Sequence, residues 1–504
     1  MSPAHGSRWA AVADALVDSL AELLDRAVSS ARTADARARL TDARERLEGP
    51  LRLAIAGKVK AGKSTLFNAI LGEELAPTDA GECTKIVTWY REGNSPQVTV
   101  YPLSGGAVPR PWSRDSGALD VDLGQLPASA VDRIEVSWPT SKLRTLTILD
   151  TPGIASISAD ISARTQRVLA AEDGRPPVAD AVLYLMRHTH ASDVRFLESF
   201  HDDELAHGTP MNSVGVLSRA DEIGSCRLDA MEVADRIARR YEADPRLRRL
   251  CPVIVPVNGL LAFAATTLRE IEYAMLATLA RGDRGEVEQL LLTADRFLHR
   301  STGVPLTEIE REHLMDRMGL YGIRLSVELI RAGFVTSAIE LSSELVDRSG
   351  LTRLRAVLTR QFEQRSRILK ARSSLAVLTD VLRNGGCTDG DALLATVEHL
   401  SASTHEFEEV RLLSALRSGQ IEVRPERAVE LDRLLGGSGH APAIRLGLAE
   451  SATAPEIRGA ALSSLASWQR LAEHPLSGRQ VKMAARAAVR TLEGMVAAHS
   501  STAE

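Results

Sequence analysis

Apolar residues recur every three or four positions near the start of the chain, and this spacing predicts two helices. The first apolar stripe consists of Trp9, Val12, Leu16, Leu20, Leu23 and Ala27, and the second of Leu40, Ala43 and Leu47. Gly49 and Pro50 end the second pattern, and LRLAIAG at 51–57 predicts a short strand that leads into a glycine-containing loop. A helical segment therefore precedes a domain built on a sheet.

Short apolar runs then alternate with helical stretches, a pattern typical of a mostly parallel sheet flanked by helices. The further predicted strands are 98–101, 134–138, 146–150, 181–186, 214–218 and 253–257. Beyond Asn258 the strand signals stop, and the remainder is predicted to be helical. Polar breaks are expected around 282–285, 301–305, 384–390 and 436–442.

Composition narrows the class of protein. The 504 residues exceed one ordinary core, and 44% hydrophobic with 25% charged residues is typical of a globular chain. A net charge of -5 gives no reason to expect nucleic acid as a partner. The four cysteines show no zinc-site or disulfide spacing, and no apolar run predicts a transmembrane helix or signal peptide. We expect a cytoplasmic protein, with peripheral contact at the inner face of the plasma membrane left open.

Residues 57–64 read GKVKAGKS between a predicted strand and a predicted helix, which is the arrangement of a phosphate-binding loop. Lys63 is predicted to contact the β and γ phosphates, and Ser64 to offer its hydroxyl to Mg²⁺. The helix that starts there directs its positive end at the anion. The predicted nucleotide contacts of this segment are Gly57, Lys58, Val59, Lys60, Ala61, Gly62, Lys63, Ser64 and Thr65.

A second motif, DTPG at 150–153, ends the predicted strand 146–150. Asp150 is predicted to hold Mg²⁺ through water, and Gly153 to donate its N–H to the γ phosphate. Between the two motifs lies PTDAGECTKIVT, in which Thr84 is the predicted second Mg²⁺ hydroxyl, with Thr78 as the alternative. A simple turn is the competing interpretation of each motif.

The choice of base depends on LSRAD at 217–221, at the end of another predicted strand. Asp221 is predicted to accept hydrogen bonds from the ring N–H and the amino group of guanine. Ser218 and Arg219 stand where Asn or Thr and Lys are usual, and Arg219 is expected to lay its aliphatic stem on the base. After the last strand, Asn258 is predicted to present a backbone N–H to the guanine carbonyl.

The ordered set GKVKAGKST, PTDAGECTKIVT, DTPG, SRADEIG and PVNGLLA resembles the bacterial dynamin-like GTPases, in particular the isoniazid-inducible class of mycobacteria and their relatives. The resemblance extends to RMGLYGIR, DRSGLTRLRAVLTRQFEQRSRILKA and LLGGSG. It implies an α/β P-loop GTPase domain with an extensive helical neck and stalk. The implied units are an N-terminal helical segment (1–48) packed with the C-terminal helices, a G domain (49–366) with a helical insertion at about 262–345, and a C-terminal helical region (367–504).

The resemblance also implies GTP and Mg²⁺ as cofactors, self-association through G domains or pairing with a related dynamin-like protein, and membrane remodelling. Lys60 occupies the place of a catalytic residue in some members of the superfamily, so Lys60, Lys63 and Thr84 are the candidate catalytic residues. A solvent-facing role for Lys60 stays open. So does a different function, that of a soluble regulatory GTPase that recruits an effector without remodelling membrane.

Two further segments carry alternatives. The segment 353–372 has seven Lys or Arg residues against one Glu, and it is predicted to meet acidic lipid or an acidic protein surface, or to be the solvated face of a helix packed beside the G domain. In 329–341, the apolar residues Phe334, Val335 and Ile339 lie near a glycine. We expect these three residues to pack in the core, and direct contact with lipid is the alternative.

Overall fold

We analysed a computed structural model of the chain, which describes most of its length. The described residues are 7–77, 86–114, 118–152, 178–187, 212–223, 225–251, 253–301, 303–363, 365–403, 405–417, 419–439, 441–449 and 451–499. Statements about structure below refer to these residues.

A nine-stranded sheet is the centre of the molecule, and its strand order is β11-β10-β9-β1-β8-β2-β7-β3-β4. The strands β10 and β9 flank β1 on one side in parallel, and β8 flanks it in parallel on the other. The strands are β1 (Leu51–Gly57), β2 (Val87–Glu92), β3 (Gln97–Pro102), β4 (Val108–Arg110), β5 (Trp112–Ser113), β6 (Asp120–Val121), β7 (Val131–Trp138), β8 (Leu146–Asp150), β9 (Ala181–Met186), β10 (Ser213–Ser218) and β11 (Ile254–Val257). Strands β5 and β6 form a separate small pair.

Helices cover the sheet and form the rest of the described chain. In the first half they are α1 (Ser7–Ser29), α2 (Ala34–Glu48), α3 (Lys63–Leu71), α4 (Ala220–Ile223), α5 (Ala230–Ala243), α6 (Pro245–Leu250) and α7 (Gly259–Thr266). They continue with α8 (Glu270–Arg281), α9 (Arg284–Leu290), α10 (Ala294–His299), α11 (Glu308–Arg331), α12 (Ala338–Arg348), α13 (Leu351–Leu358) and α14 (Ser366–Arg383). The last are α15 (Gly390–Ser403), α16 (His405–Arg417), α17 (Pro425–Leu434), α18 (Pro442–Leu446), α19 (Ala454–Glu473) and α20 (Arg479–Ala498).

The predicted fold class, a mostly parallel sheet flanked by helices plus a large helical region, is confirmed. All seven predicted strands are present, and the four predicted breaks separate helices. Strand β2 and the short strands β4 to β6 are not predicted from the sequence. Strand β2 begins at Val87, within the end of the polar segment PTDAGECTKIVT, and it pairs antiparallel with β8.

Many of the helices fall into three groups according to what they pack against. Helices α3 and α13 pack on one face of the sheet, in a cluster that includes Leu66, Leu354 and Phe362. Helices α1 and α2 pack instead with α14 and α15. Helices α16 to α20 form a separate bundle around the fully buried Trp468. The proposed domain boundaries near 48 and 366 stay a prediction. Helix α13, before position 366, and the start of α14, after it, both contribute to the sheet core.

A buried ion pair fixes the start of β1. Arg46, at the end of α2, donates from Nε to Asp180 Oδ1 at 2.7 Å, and both side chains are almost fully buried. The second oxygen of Asp180 accepts the backbone N–H of Arg52 at 2.9 Å. Because a buried charge is stable only when paired and hydrogen-bonded, this contact specifies how α2 enters the sheet.

The basic segment 353–372 is not a continuous exposed helix, and the interpretation as a lipid-facing surface is wrong for its central residues. Helix α13 continues into a π-helical turn, Thr359–Glu363, before α14 begins. Arg355 donates to the carbonyls of Ala69 and Ile70, and the buried Arg365 donates to Gln361 and to the Gly436 carbonyl.

Lys370, farther along the same basic segment, donates to the Gly49 carbonyl at 2.8 Å. The alternative, a solvated helix face packed beside the sheet domain, is confirmed in its packing. Its solvation is confirmed only for Arg353, Arg360 and Arg367, which are exposed.

The expectation of core packing for Phe334 and Ile339 is also wrong. Phe334 is 71% exposed and Ile339 is 79% exposed, whereas Val335 is buried. The apolar spacing did not distinguish these positions, because Phe334 lies in the loop before α12 and Ile339 on the outer face of that helix. None of the described helices is long and apolar enough to cross a membrane.

Candidate nucleotide site

Four strands bring the predicted site residues to one edge of the sheet. Strands β1, β8, β10 and β11 run parallel to one another within the sheet through β9, and their carboxyl ends lead into the loops that carry the motifs. Ligands of open α/β sheets bind at this edge, outside the carboxyl ends of the strands. The topology therefore gathers residues that lie up to two hundred positions apart in sequence.

The glycines of the loop after β1 have separate steric roles. A Cβ atom on Gly57 would lie 2.6 Å from the carbonyl oxygen of Leu185, so glycine permits the close approach of β1 to β9. Gly62 has a φ of +91° and is the N-cap of α3. This left-handed conformation turns the chain from the loop into the helix, and glycine adopts it without steric cost. Ser64 and Thr65 follow in the first turn of α3.

Lys63 lies across the loop that it follows. Its Nζ donates to the carbonyls of Gly57 and Lys58 at 3.4 and 3.3 Å. Burial lowers the pKa of the Lys63 ammonium, while the nearby Asp150 carboxylate opposes that shift. The positive charge is thus enclosed by the loop and placed at the amino end of α3, where an anion is favoured.

Lys60 is at the exposed tip of the loop, next to Val59, which is 52% exposed. Its backbone adopts a left-handed conformation with a φ of 61°, which is costly for a residue with a side chain. Arg187 donates to the Lys60 carbonyl at 3.2 Å and helps to hold the tip. The sequence analysis missed Arg187, although its position directly after the predicted strand 181–186 places it at this edge.

The two predicted metal ligands that the structure describes lie together. Ser64 Oγ donates to Asp150 Oδ2 at 3.4 Å. The other oxygen, Asp150 Oδ1, is buried and has no hydrogen-bond partner among the described residues. Burial raises the pKa of Asp150 to about 6, against the opposing effects of the Lys63 charge and the Ser64 hydroxyl. A hydroxyl beside a carboxylate oxygen with no partner fits a hard divalent cation, which prefers oxygen ligands.

The segment after β10, residues 218–226 without 224, is called the base-side loop below. Ser218 is buried and donates to the Met186 carbonyl at 3.3 Å, so its hydroxyl anchors the strand end. Arg219 has a φ of 52° and pairs with Glu222 at 2.7 Å, with its side chain partly exposed. Asp221 follows in the first turn of α4, and burial raises its pKa above the ordinary value.

Asn258 is already engaged by its own surroundings. Its backbone N–H donates to the Ser349 carbonyl at 2.9 Å, and its side-chain oxygen accepts the N–H of Leu261 as the N-cap of α7. The backbone N–H predicted to meet a guanine carbonyl is thus used within the chain, whereas the side-chain Nδ2 is buried and has no hydrogen-bond partner among the described residues. Its predicted contact with a guanine carbonyl stays a prediction, and the structure assigns Asn258 the role of starting α7.

Thr84 and Gly153 lie outside the described residues, as does the alternative Thr78. Their predicted roles toward Mg²⁺ and the γ phosphate therefore stay predictions.

A parallel sheet whose first strand leads through a glycine loop into a helix, with an acidic residue at the end of the neighbouring strand, defines the class of P-loop nucleotide-binding proteins. Residues 53–205 match the family model described as Dynamin family. The isoniazid-induced protein IniC of Mycobacterium tuberculosis is 41% identical over 457 residues, which cover 90% of this chain and 92% of that protein. The chain belongs to the bacterial dynamin-like GTPases.

More distant relatives match a smaller part of the chain. The bacterial dynamin-like protein of Nostoc punctiforme is 28% identical over 30% of this chain and 23% of its own length. A solved structure from an oligomerised bacterial dynamin pair aligns with 97% of this chain and 74% of its own, at 14% identity and a TM-score of 0.32.

Proposed function

We propose that this protein hydrolyses GTP with Mg²⁺ at the edge formed by β1, β8 and β10, and couples hydrolysis to contact between G domains. The observation that carries the proposal is the pair Ser64 and Asp150 beside the enclosed ammonium of Lys63. The pair offers a hydroxyl and a carboxylate oxygen that has no partner among the described residues. A hydroxyl, a carboxylate and an ammonium in this arrangement suit a triphosphate with its metal ion. They would have no evident use in a protein that does not bind an anion.

Each residue has a distinct task in this proposal. The loop amides and Lys63 hold the β and γ phosphates and offset their charge as it shifts during transfer. Ser64 and Asp150 would hold Mg²⁺, which neutralises charge on the β and γ oxygens when bound. Thr84 is proposed to offer Mg²⁺ a second hydroxyl, Gly153 to donate its N–H to the γ phosphate, and Asp221 to select guanine.

Self-association is proposed because the tip of the phosphate loop is open to a neighbouring molecule. Lys60 and Val59 are exposed there, in a backbone conformation that other contacts hold in place. A second G domain that covers this tip would exclude water and could direct Lys60 toward the transferred phosphoryl group. Membrane remodelling, as the work done, is the part of the proposal that rests on membership of the dynamin family alone.

The test is GTP turnover per molecule, measured against protein concentration. We expect it to rise by about tenfold or more, because a cationic residue fixed beside the transferred phosphoryl group has large effects on rate. The Lys60→Ala chain should bind GTP but lose most of that rise. Constant turnover per molecule over the whole range, with a monomer in sedimentation at every concentration, would contradict the dimer-dependent part. Adding acidic liposomes to the same assay tests the membrane part.

Base selection is tested by Asp221→Asn. We expect the preference for GTP over ATP to fall by about 100-fold, because the amide no longer matches the donors on guanine. Asp229→Asn is the control, since Asp229 lies three residues after the base-side loop and pairs with Arg227 at 3.3 Å. If the Asp221→Asn chain keeps the parent preference for GTP over ATP, Asp221 does not contact the base.

A further inference from the structure

The segment RMGLYGIR, residues 317–324, lies against the base-side loop. It belongs to α11, which is interrupted by a kink at Gly319, where φ is 64° and ψ is 174°. After the kink, Gly322 brings the helix close to α7, since a Cβ atom there would lie 3.0 Å from Leu261 Cδ1. The second half of α11 is thereby held beside the loop that carries Asp221.

Arg324 connects this helix to the base-side loop. Its Nη1 donates to the Cys226 carbonyl at 2.6 Å. Its Nε and Nη2 donate to the Leu291 carbonyl at 2.9 and 2.6 Å, and Nη2 also donates to Leu292. One guanidinium thus joins the end of the base-side loop to the residues that end α9, using the fixed geometry of its five N–H donors.

The carbonyl that Arg324 holds belongs to a strained turn. Ser225 and Cys226 both have left-handed backbones, with φ values of 54° and 57°, a conformation that residues with side chains adopt only when their surroundings enforce it. Cys226 in turn donates its N–H to the Asp221 carbonyl at 2.9 Å. The chain of contacts therefore runs from Arg324 through Cys226 to Asp221.

Tyr321, one turn before Arg324, lies within electrostatic range of the Asp221 carboxylate. The Tyr321 side chain is buried, and burial together with the negative charge of Asp221 raises its pKa to about 12. The phenol therefore stays neutral at physiological pH.

The geometry points to Arg324 as a positioning residue for guanine selectivity, acting through the Cys226 carbonyl on the loop that presents Asp221. This inference rests on the proposed function, in which Asp221 selects guanine. Without the guanidinium, Ser225 and Cys226 lose the contact that holds their left-handed turn, and the Asp221 carboxylate is no longer fixed relative to the base. Both guanine binding and discrimination against adenine then decline, whereas phosphate binding at Lys63 is retained.

A matched control exists on the same helix. Arg331 also donates to backbone carbonyls, those of Ala280 at 2.9 Å and Gly282 at 3.1 Å, and it likewise ties α11 to the end of a neighbouring helix. Among the described residues, the hydrogen bonds of Arg331 go to the end of α8 and not to the base-side loop. Replacing either arginine therefore removes comparable contacts, but only Arg324 reaches Cys226.

The experiment compares full-length parent, Arg324→Gln, Arg324→Lys and Arg331→Gln. Dissociation constants for fluorescent GDP and ADP analogues are measured with Mg²⁺, together with thermal unfolding. We expect Arg324→Gln to reduce the GDP-to-ADP preference by about tenfold or more, mainly through weaker GDP binding. Arg324→Lys should recover part of it, since an ammonium can reach one carbonyl but not bridge two. Arg331→Gln should keep the parent preference within about twofold even if its unfolding temperature falls equally.

Two results overturn the inference. One is an unchanged preference in Arg324→Gln, and the other is an equal loss of preference in Arg331→Gln, which would reduce Arg324 to a general stabilising contact. If Arg324→Gln does not fold, Arg324→Lys and Arg331→Lys decide the question by the same ratio. A parent protein with no guanine preference would instead overturn the proposed function and this inference with it, whereas a selective parent with an unaffected Arg324 variant overturns the inference alone.

Discussion

The Lys63→Ala chain is expected to lose nucleotide binding, with affinity for GTP and GDP falling by about 100-fold or more. Lys63 is the charged group enclosed by the phosphate loop, and charge-assisted contacts to phosphate are among the strongest that a side chain makes. A loss of 100-fold corresponds to about 2.8 kcal/mol of binding free energy, which is reasonable for one such contact in a partly buried site. Calorimetric titration with GDP, GTP and ATP measures it directly.

Lys142→Ala provides the control for that experiment. Lys142 donates to the carbonyl of Leu71 at the opposite end of α3, so its removal perturbs the same helix without touching the phosphate loop. We expect parent-like nucleotide affinity from Lys142→Ala. A Lys63→Ala chain that binds GTP as the parent does would contradict the assignment of residues 57–64 as the phosphate loop.

The Asp150→Asn chain is expected to lose the effect of Mg²⁺ on turnover, with the hydrolysis rate falling by about 100-fold or more. Asn has nearly the shape of Asp but lacks the charge that would hold the cation. Asp150 Oδ1 is buried and has no hydrogen-bond partner among the described residues. The ionised carboxylate therefore lowers the free energy of unfolding of the ligand-free chain. We therefore expect the unfolding temperature of the ligand-free Asp150→Asn chain to be equal to that of the parent or higher.

Lower Mg²⁺-dependent turnover together with unchanged or higher stability would distinguish a functional Asp150 carboxylate from a structural one. GDP affinity without Mg²⁺ should be nearly unchanged, and the gain in affinity on adding Mg²⁺ should disappear. Asp132→Asn, near the start of β7, is the control, because its carboxylate pairs with Arg133 on a strand that lies two places from β8 in the sheet. A less stable Asp150→Asn chain that retains full Mg²⁺-dependent turnover would give Asp150 a structural role instead.

The parts of the fold that could be predicted are those governed by local pattern. The strand before the phosphate loop, the strand ending at Asp150 and the strand ending at Ser218 are short apolar runs followed by polar motifs, and each lies where the pattern placed it. The meeting of Ser64 with Asp150 also follows from sequence, because parallel strands bring their carboxyl ends to one edge.

Contacts between distant segments could not be predicted in this way. The charge of Arg365 and Lys370 suggested solvent or lipid, yet both donate to backbone carbonyls inside the molecule, and nothing in their own sequence neighbourhood specifies Gly436 or Gly49 as partners. The left-handed backbone of Cys226 is likewise invisible to propensity, since Arg324, about a hundred residues later, holds it. Long-range hydrogen bonds of arginine and lysine to backbone carbonyls explain the differences at Arg365, Lys370 and Cys226.

The pairing of Arg46 with Asp180 has a mechanical consequence. Strand β1 spans roughly 20 Å as seven extended residues, with the phosphate loop at one end and this buried ion pair at the other. Lys370, on α14, donates a hydrogen bond to the Gly49 carbonyl just before the strand. Strand β1 is also hydrogen-bonded to β8 and β9 on its two sides. A displacement of the phosphate loop along β1 would therefore act on α2 and α14, which contact the other end of the strand.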